Sequence, residues 1–322
     1  MLRNLLFSMG VLRTVSFGTP VICIGNIMAG GTGKTPMTEY LVSALGPQHI
    51  AVLSRGYKRK SKGYMEVQVN SKAMEVGDEP LQIKRKFTDT HVAVDENRRH
   101  GIQTIITAFP QTKAVILDDA FQHRYVKASV SIVLIDYTRL PEYDFILPSG
   151  RLREPLSALK RADIIVFSKT PVTISEKEKN RLQQKYRKHS RQQFFFTSIA
   201  YENQLNPVFP EGKSIELKSL KNTSCILVSG IANDKPFYSF VEKQCIIKKH
   251  YRYPDHYAYK ASDIEQLTDT NNIIITTEKD AIRMQDIPPQ YHREMFFYLP
   301  IKTVFLFGHE SFFVQSVKKL LV

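Results

Sequence analysis

The stretch Val21–Pro36 constrains this chain more than any other, reading Val-Ile-Cys-Ile-Gly-Asn-Ile-Met-Ala-Gly-Gly-Thr-Gly-Lys-Thr-Pro. An apolar run, Val21 to Ile24, gives way to a glycine-rich turn that ends in Gly33-Lys34-Thr35. Behind it Met37, Tyr40, Leu41, Ala44 and Leu45 recur at helical spacing, and Gly46-Pro47 ends the pattern. The pattern predicts strand, tight loop, helix. Glycines let the backbone curl until successive N–H groups point inward, so a phosphate can sit in the concavity at the helix N-terminus. Met28, Ala29, Gly30, Gly31, Thr32, Gly33, Lys34 and Thr35 are the candidate loop residues. Lys34 would reach the β- and γ-phosphates, and the Thr35 hydroxyl would ligate Mg2+. The match is partial, because Met28 stands where the usual loop has its first glycine. A plain glycine-rich turn would not explain why three glycines, a lysine and a threonine coincide there.

At 322 residues the chain is too long for one ordinary core, and 43% hydrophobic content is ample for packing. Two α/β domains are expected: a phosphate-loop domain over 1–193, a β-hairpin linker over 194–222, and a second, smaller α/β domain over 223–322. Cys23, Cys225 and Cys245 have no metal-binding spacing and read as buried thiols in a reducing compartment. The formal net charge of +14 favours polyanionic partners without choosing among nucleic acid, anionic lipid and phosphorylated ligands. No apolar run is long enough to span a bilayer. Leu2, Leu5, Leu6, Met9 and Leu12 share a helical face, which suits either a short interfacial helix or a helix packed on its own domain.

Further apolar runs alternate with helical segments, which implies a doubly wound, mostly parallel sheet. Ile50–Leu53 leads into the basic Ser54-Arg55-Gly56-Tyr57-Lys58-Arg59-Lys60, where Arg55 would touch a phosphate. Gly77-Asp78-Glu79-Pro80 opens a helix, and its two carboxylates are either caps or a general base with a metal ligand. His91–Val94 ends in Asp95-Glu96-Asn97-Arg98, and Ala114–Leu117 ends in Asp118-Asp119. A buried strand ending in aspartate is how phosphate-loop proteins hold Mg2+ from the side opposite the loop. In Leu147–Pro155, Arg151 or Arg153 would contact nucleotide or substrate through the planar guanidinium, unless they only pair with Glu154 at the surface. Ser168-Lys169 follows a sixth strand, at a place where such folds meet the nucleotide base.

Seven motifs then stand in order: 25–36 above, Ser-Arg-Gly-Tyr (54–57), Gly-Asp-Glu-Pro (77–80), Asp-Asp-Ala-Phe-Gln-His (118–123), Leu-Pro-x-Gly-x-Leu-Arg-Glu-Pro (147–155), Asp-His-Tyr (255–257) and Thr-x-Lys-Asp-Ala (277–281). The set resembles tetraacyldisaccharide 4′-kinase, the lipid A kinase family of Gram-negative bacteria, over nearly the whole chain. The resemblance implies ATP- and Mg2+-dependent phosphorylation of the 4′-hydroxyl of an acylated glucosamine disaccharide 1-phosphate. It implies a peripheral protein at the cytoplasmic face of the inner membrane. It makes Asp78 the catalytic base, with His256 as its partner from the second domain and Lys34 on the phosphates. Glu79, Asp118 and Asp119 become the acidic group around Mg2+, with Thr35, and Arg55, Arg98 and Arg153 face phosphate or sugar. Members usually carry a longer N-terminal segment that docks on the membrane. Here docking falls to Leu2–Leu12 and the basic loops, or the sequence starts inside a longer product.

The partners implied are the acylated disaccharide and an anionic membrane surface. No obligate protein partner is evident. Two other readings compete: a phosphate-loop kinase for another sugar or a coenzyme, and a nucleic-acid-associated NTPase. Against the latter, the chain shows no aromatic-basic recognition module and no helix-turn-helix-like segment.

Overall fold

A computed structural model of the chain describes residues 2–268, 272–288 and 292–321. The first eight strands are β1 (Val21–Asn26), β2 (Ile50–Ser54), β3 (Met65–Glu66), β4 (His91–Val94), β5 (Ala114–Leu117), β6 (Val130–Asp136), β7 (Ile164–Ser168) and β8 (Gln193–Tyr201). Then come β9 (Gln204–Pro207), β10 (Ile215–Glu216), β11 (Ser224–Ser229), β12 (Ile246–Arg252), β13 (Ile273–Thr277), β14 (Phe296–Leu299) and β15 (Ile301–Phe305). They form a nine-stranded sheet, in the order β15-β8-β7-β6-β1-β5-β2-β4-β3, and a six-stranded sheet, β10-β9-β14-β13-β11-β12. The fold is α/β, and both sheets are mostly parallel. Only β3 and β15 run against the others in the first, and in the second only β9 does, pairing antiparallel with both β14 and β10.

Parallel strands covered on both faces must be apolar at successive positions, which accounts for the unbroken runs in the sequence. Alternate residues of β1 serve two cores. Ile22 and Ile24 pack with Met37, Leu41 and Val42 of the helix Lys34–Leu45. Val21 and Cys23 face the other side, with Leu117, Phe121 and Val126. β1 is flanked by β5 and β6, yet the chain leaves it for β2, beyond β5. That reversal of strand order opens a crevice at the carboxyl ends of the strands, where Asn26, Asp118, Asp136 and Ser168 stand.

The linker and the closing segment differ from expectation. Within 194–222 the hairpin is β9–β10, and it belongs to the second sheet, where β9 also pairs with β14, whereas β8 belongs to the first sheet, between β7 and β15. The two sheets are joined by two chain crossings, at Glu202 and Pro300, where Glu202 N donates to Pro300 O at 2.9 Å. Nor does 301–321 stay in the second unit. Ile301 pairs with Tyr201 and Phe305 with Thr197, and the helix Glu310–Leu321 returns to the first core. Phe313 makes the return favourable, lying fully buried against Phe305 and Phe195 with ring centroids 4.6 and 5.0 Å away. All three cysteines are buried and free, and the Cys225 and Cys245 sulfurs lie 3.0 Å apart.

The helices Asp78–Lys86 and Glu278–Met284 pack across the junction of the two sheets. Lys86 Nζ bridges Glu39 at 2.7 Å and Glu278 at 3.2 Å. Burial, then the Glu278 charge, raise the Glu39 carboxyl to about 7. The Phe313→Ala variant should lose about 3–5 kcal/mol of stability, as for other buried phenylalanines. Urea unfolding checks this against Phe312→Ala, whose parent side chain is 54% exposed. Equal losses would mean that the closing helix does not anchor the first sheet.

Candidate active site

The loop after β1 is held open by its neighbours. Gly33 precedes the helix with φ 80° and ψ 26°, a left-handed conformation suited to glycine. Ser168 Oγ donates to Thr32 O at 2.8 Å, Asn26 Nδ2 donates to Thr32 Oγ1 at 2.9 Å, and Lys169 bonds Gly31 O. Among the described residues, no backbone hydrogen bond takes up the N–H groups of Gly30, Gly31, Thr32 or Gly33. With the first N–H groups of the helix, these make the anion-binding concavity. Ala29 differs, because its N–H donates to Arg151 O at 2.7 Å and is unavailable to a phosphate. Met28 is buried and bridges Leu152, so its side chain belongs to the core. Ser168 and Lys169 brace the loop itself, and Lys169 also meets Asp136 at 2.7 Å.

Lys34 Nζ lies 3.6 Å from Asp119, and Arg153 Nη1 donates to both oxygens of that carboxylate at 3.0 and 3.2 Å. Asp119 has φ 47°, a left-handed conformation that turns its side chain towards these cations. Asp118 is buried and accepts from Thr38 Oγ1 at 3.1 Å. Burial and the Asp119 charge push its carboxyl up to about 6, while Lys34 pulls the other way and Glu79 adds to the rise. Thr35 is half-buried at the second position of the helix. Arg55 is exposed. Arg98 is buried and donates to Asp95 O at 2.6 Å, and its Nε has no partner. Burial lowers the Arg98 guanidinium to about 10.

Asp78 and Glu79 open the helix after Gly77, which packs on Gly56 just beyond the carboxyl end of β2. The second domain closes on this pair. His256 Nδ1 is 3.1 Å from Asp78 Oδ2, and Arg283 Nε donates to the same oxygen at 2.7 Å. Lys279 Nζ reaches His256 Nε2 and Glu79 Oε1, each at 3.1 Å. An ammonium only donates, so Nε2 accepts, and the ring hydrogen on Nδ1 points at Asp78. His256 has φ 60°. Tyr57 meets its ring edge-on, with centroids 5.8 Å apart.

Arg283 is itself braced. Its Nη1 donates to Gly230 O at 3.1 Å and to Asp280 Oδ1 at 3.0 Å. Asp280, fully buried, also accepts from Tyr259 OH and Gly230 N. Any side chain at position 230 would start 2.9 Å from Asp280 Oδ1, so glycine is required there. Arg283 was not among the residues expected at the site. It lies one helical turn after Lys279, on the face that the Thr-x-Lys-Asp-Ala motif presents, and that spacing is the signal for it.

A family model described as tetraacyldisaccharide-1-P 4′-kinase matches residues 1–321. The chain belongs to the tetraacyldisaccharide 4′-kinase family. It is 41% identical to the tetraacyldisaccharide 4′-kinase of Bacteroides thetaiotaomicron, covering 98% of this chain and 88% of that one. It is 40% identical to that of Flavobacterium johnsoniae, covering 98% and 92%. Its structure is similar to the crystal structure of the "apo" form of LpxK from Aquifex aeolicus in complex with ATP. The TM-score is 0.79 at 28% identity, covering 100% of this chain and 94% of that one. As a member of the tetraacyldisaccharide 4′-kinase family the chain is a kinase of lipid A synthesis, and the fold and function expected from its motifs hold.

Burial opposes ionisation of Asp78, but the His256 hydrogen bond, the Arg283 charge and Lys279 outweigh it and hold the carboxyl below its usual range. A depressed carboxyl contributes stability above its unfolded pKa, and loses it as pH falls through the folded one. Removing the guanidinium in Arg283→Met should therefore raise the Asp78 pKa and move the acid loss of stability to higher pH. Carboxyl NMR titration of both proteins checks this. An unchanged Asp78 titration would show that Arg283 does not hold the carboxylate.

Proposed function

We propose that Asp78 is the general base of 4′-phosphorylation, facing the phosphoryl group held by the loop at Lys34. The observation that carries this is the placement of Asp78 between Arg283 and His256 at the same sheet edge as the loop. The Asp118 carboxyl feels the charges of both Lys34 and Glu79, which supports a reading in which the Asp78–Glu79 turn and the loop face one another. The domains are already close enough for His256 to touch Asp78.

ATP is the donor and Mg2+ its partner ion. Among the described residues no three His, Cys, Asp or Glu side chains cluster as a metal cage. Mg2+ needs none, since it takes one or two protein oxygens together with phosphates and water. The buried Asp118 fits that role, because a cation would relieve the carboxyl that burial and Asp119 disfavour. Asp118, Asp119, Glu79 and Thr35 are the residues that would hold it, and the ion would neutralise charge on the phosphates. Lys34 and the loop N–H groups align the terminal phosphoryl. Arg153 holds Asp119, Arg55 is the exposed phosphate- or sugar-facing group, and Arg98 supports the site from its buried place against Asp95.

In the step itself the 4′-oxygen bonds to the terminal phosphorus and the bond to the departing ADP oxygen breaks. The hydroxyl proton passes to Asp78. Both His256 and Arg283 engage Oδ2, which leaves Oδ1 for that proton. A carboxyl with a depressed pKa is ionised but weakly basic. Such a base takes the proton late, as suits a loose transition state in which positioning and charge neutralisation dominate.

We place the enzyme on an anionic membrane surface at the cytoplasmic face. Among the described residues no helix is long and apolar enough to cross a bilayer. The helix Leu2–Ser8 packs on its own domain through Phe7, which meets Tyr125 with centroids 4.9 Å apart, and Arg3 donates to Gln122 O at 2.9 Å. The side chains of Leu2 and Leu5 lie outside the described residues, while Met9 is 65% exposed.

Radiolabelled ATP and the acylated disaccharide acceptor test the reading. Asp78→Ala should lower kcat by about 10²–10⁴-fold with the fold intact by circular dichroism. Full activity in that variant would remove Asp78 from the mechanism. A deacylated acceptor that works as well as the acylated one would remove lipid recognition.

A further inference from the structure

The turn at 144–151 carries two apolar side chains that the first core does not use. Phe145 is 73% exposed and Leu147 is 51% exposed, while Ile146 between them packs on the core. Single exposed apolar residues are ordinary, but two at one tip and beside a functional site are not. The turn is also stiff. Asp144 Oδ1 accepts from Phe145 N at 2.8 Å and Arg151 N at 2.9 Å. Leu147 N donates to Leu152 O and Leu152 N to Phe145 O, both at 2.9 Å. A Cβ at Gly150 would fall 2.3 Å from Asp144 Oδ1. The phenylalanine and leucine are thus presented to solvent by a braced scaffold, and local collapse cannot hide them.

This scaffold is tied to the phosphate loop. Leu152 bridges Met28, Arg151 O takes the Ala29 N–H, and Arg153 N donates to Ile27 O at 2.8 Å. Arg151 and Arg139 are exposed beside the tip, and Arg139 Nη1 lies 3.8 Å from where a Cβ on Gly30 would stand. Apolar side chains flanked by arginines match the boundary of an anionic bilayer, with apolar groups among acyl chains and cations among headgroups. The net charge of +14 favours the same partner.

We propose that the 144–151 turn is a membrane-inserting tip, with Phe145 and Leu147 entering an anionic bilayer beside the phosphate loop. The proposal rests on the reading that the acceptor is a lipid held in that bilayer. A rigid link from tip to loop would then fix how far above the headgroups the transferring phosphoryl stands. A second copy of the chain, or a protein partner, would cover the same face with a different result.

The chain has no tryptophan, so Phe145→Trp supplies a sole indole. With vesicles of phosphatidylethanolamine and phosphatidylglycerol its emission should shift to the blue and become shielded from a soluble quencher. The double variant Phe145→Glu with Leu147→Glu should bind those vesicles about tenfold or more weakly, since burying one large apolar side chain corresponds to at least that factor. Ile246→Glu, which alters an exposed apolar residue on the edge of the second sheet, should bind as the parent does. The double variant should raise KM for vesicle-embedded acceptor and leave kcat on detergent-dispersed acceptor unchanged. An indole that stays in water while the protein sediments with vesicles would overturn the proposal. So would a blue shift that needs no vesicles and grows with protein concentration, which would make the tip an interface between copies. Binding is read without ATP or acceptor, so insertion by a protein that phosphorylates no lipid would uphold the tip and refute the substrate.

Discussion

The Asp78 carboxylate of one unit is gripped by Arg283 and His256 of the other, and the proposed catalytic arrangement depends on that grip. Arg283 lies between Asp78 and the buried Asp280, donating to both, and it also meets the Gly230 carbonyl and, at 3.5 Å, His256 Nδ1. A guanidinium suits this place because its fork meets two carboxylates and a carbonyl without leaving a donor stranded. Buried charges are tolerated only when so paired. Asp280 in turn is held by Tyr259 and by the backbone at Gly230, so the geometry at Asp78 is set by the core of the second domain. The first unit contributes the carboxylate proposed to react, and the second holds its charge and orientation and leaves one oxygen free.

A parallel balance operates around the phosphate loop. Asp119 draws Lys34 and Arg153 together, although each is otherwise suited to phosphate oxygens. In the proposed reading a nucleotide would compete with Asp119 for these cations, and Asp118 is the carboxylate that would hold an ion beside it. Asp119, Lys169 and His256 all have positive φ, at 47°, 54° and 60°. Conformations of this kind persist where surrounding bonds over-determine them, and here each is fixed by ion pairs or hydrogen bonds of the site.

Much of this was legible in the sequence because it is local. Strand, glycine turn and helix follow from consecutive residues, and Asp118 and Asp119 follow from a buried run that ends in acid. Asp78 and His256, 178 residues apart, were paired only through the family resemblance, and the structure brings them to 3.1 Å. What could not be read is what depends on distant pairing. β15 follows β14 after a single residue, yet it leaves the second sheet to pair with β8, about a hundred residues earlier. Loop-closure entropy and side-chain fit decide such a choice, and neither is written in periodicity. Met28 and Ala29 show the converse. They sit in the motif, but the 147–155 loop engages both, so membership of a motif does not make an atom available to ligand.

The junction explains why so small a surface can hold the site together. Lys86 lies at the end of the helix that Asp78 begins, and it bridges Glu39 of the phosphate-loop helix to Glu278 of the helix that carries Lys279 and Arg283. The helices Asp78–Lys86 and Glu278–Met284 therefore meet twice, at Asp78 and again about two turns away. Two separated contacts fix an angle as well as a distance. The second contact is unequal in charge, with two carboxylates and one ammonium, so burial and the Glu278 charge raise the Glu39 carboxyl while the shared Lys86 holds the two carboxylates together. The angle between these two helices is thus set by ion pairs at both ends of one short helix, with the two sheets supplying the frame.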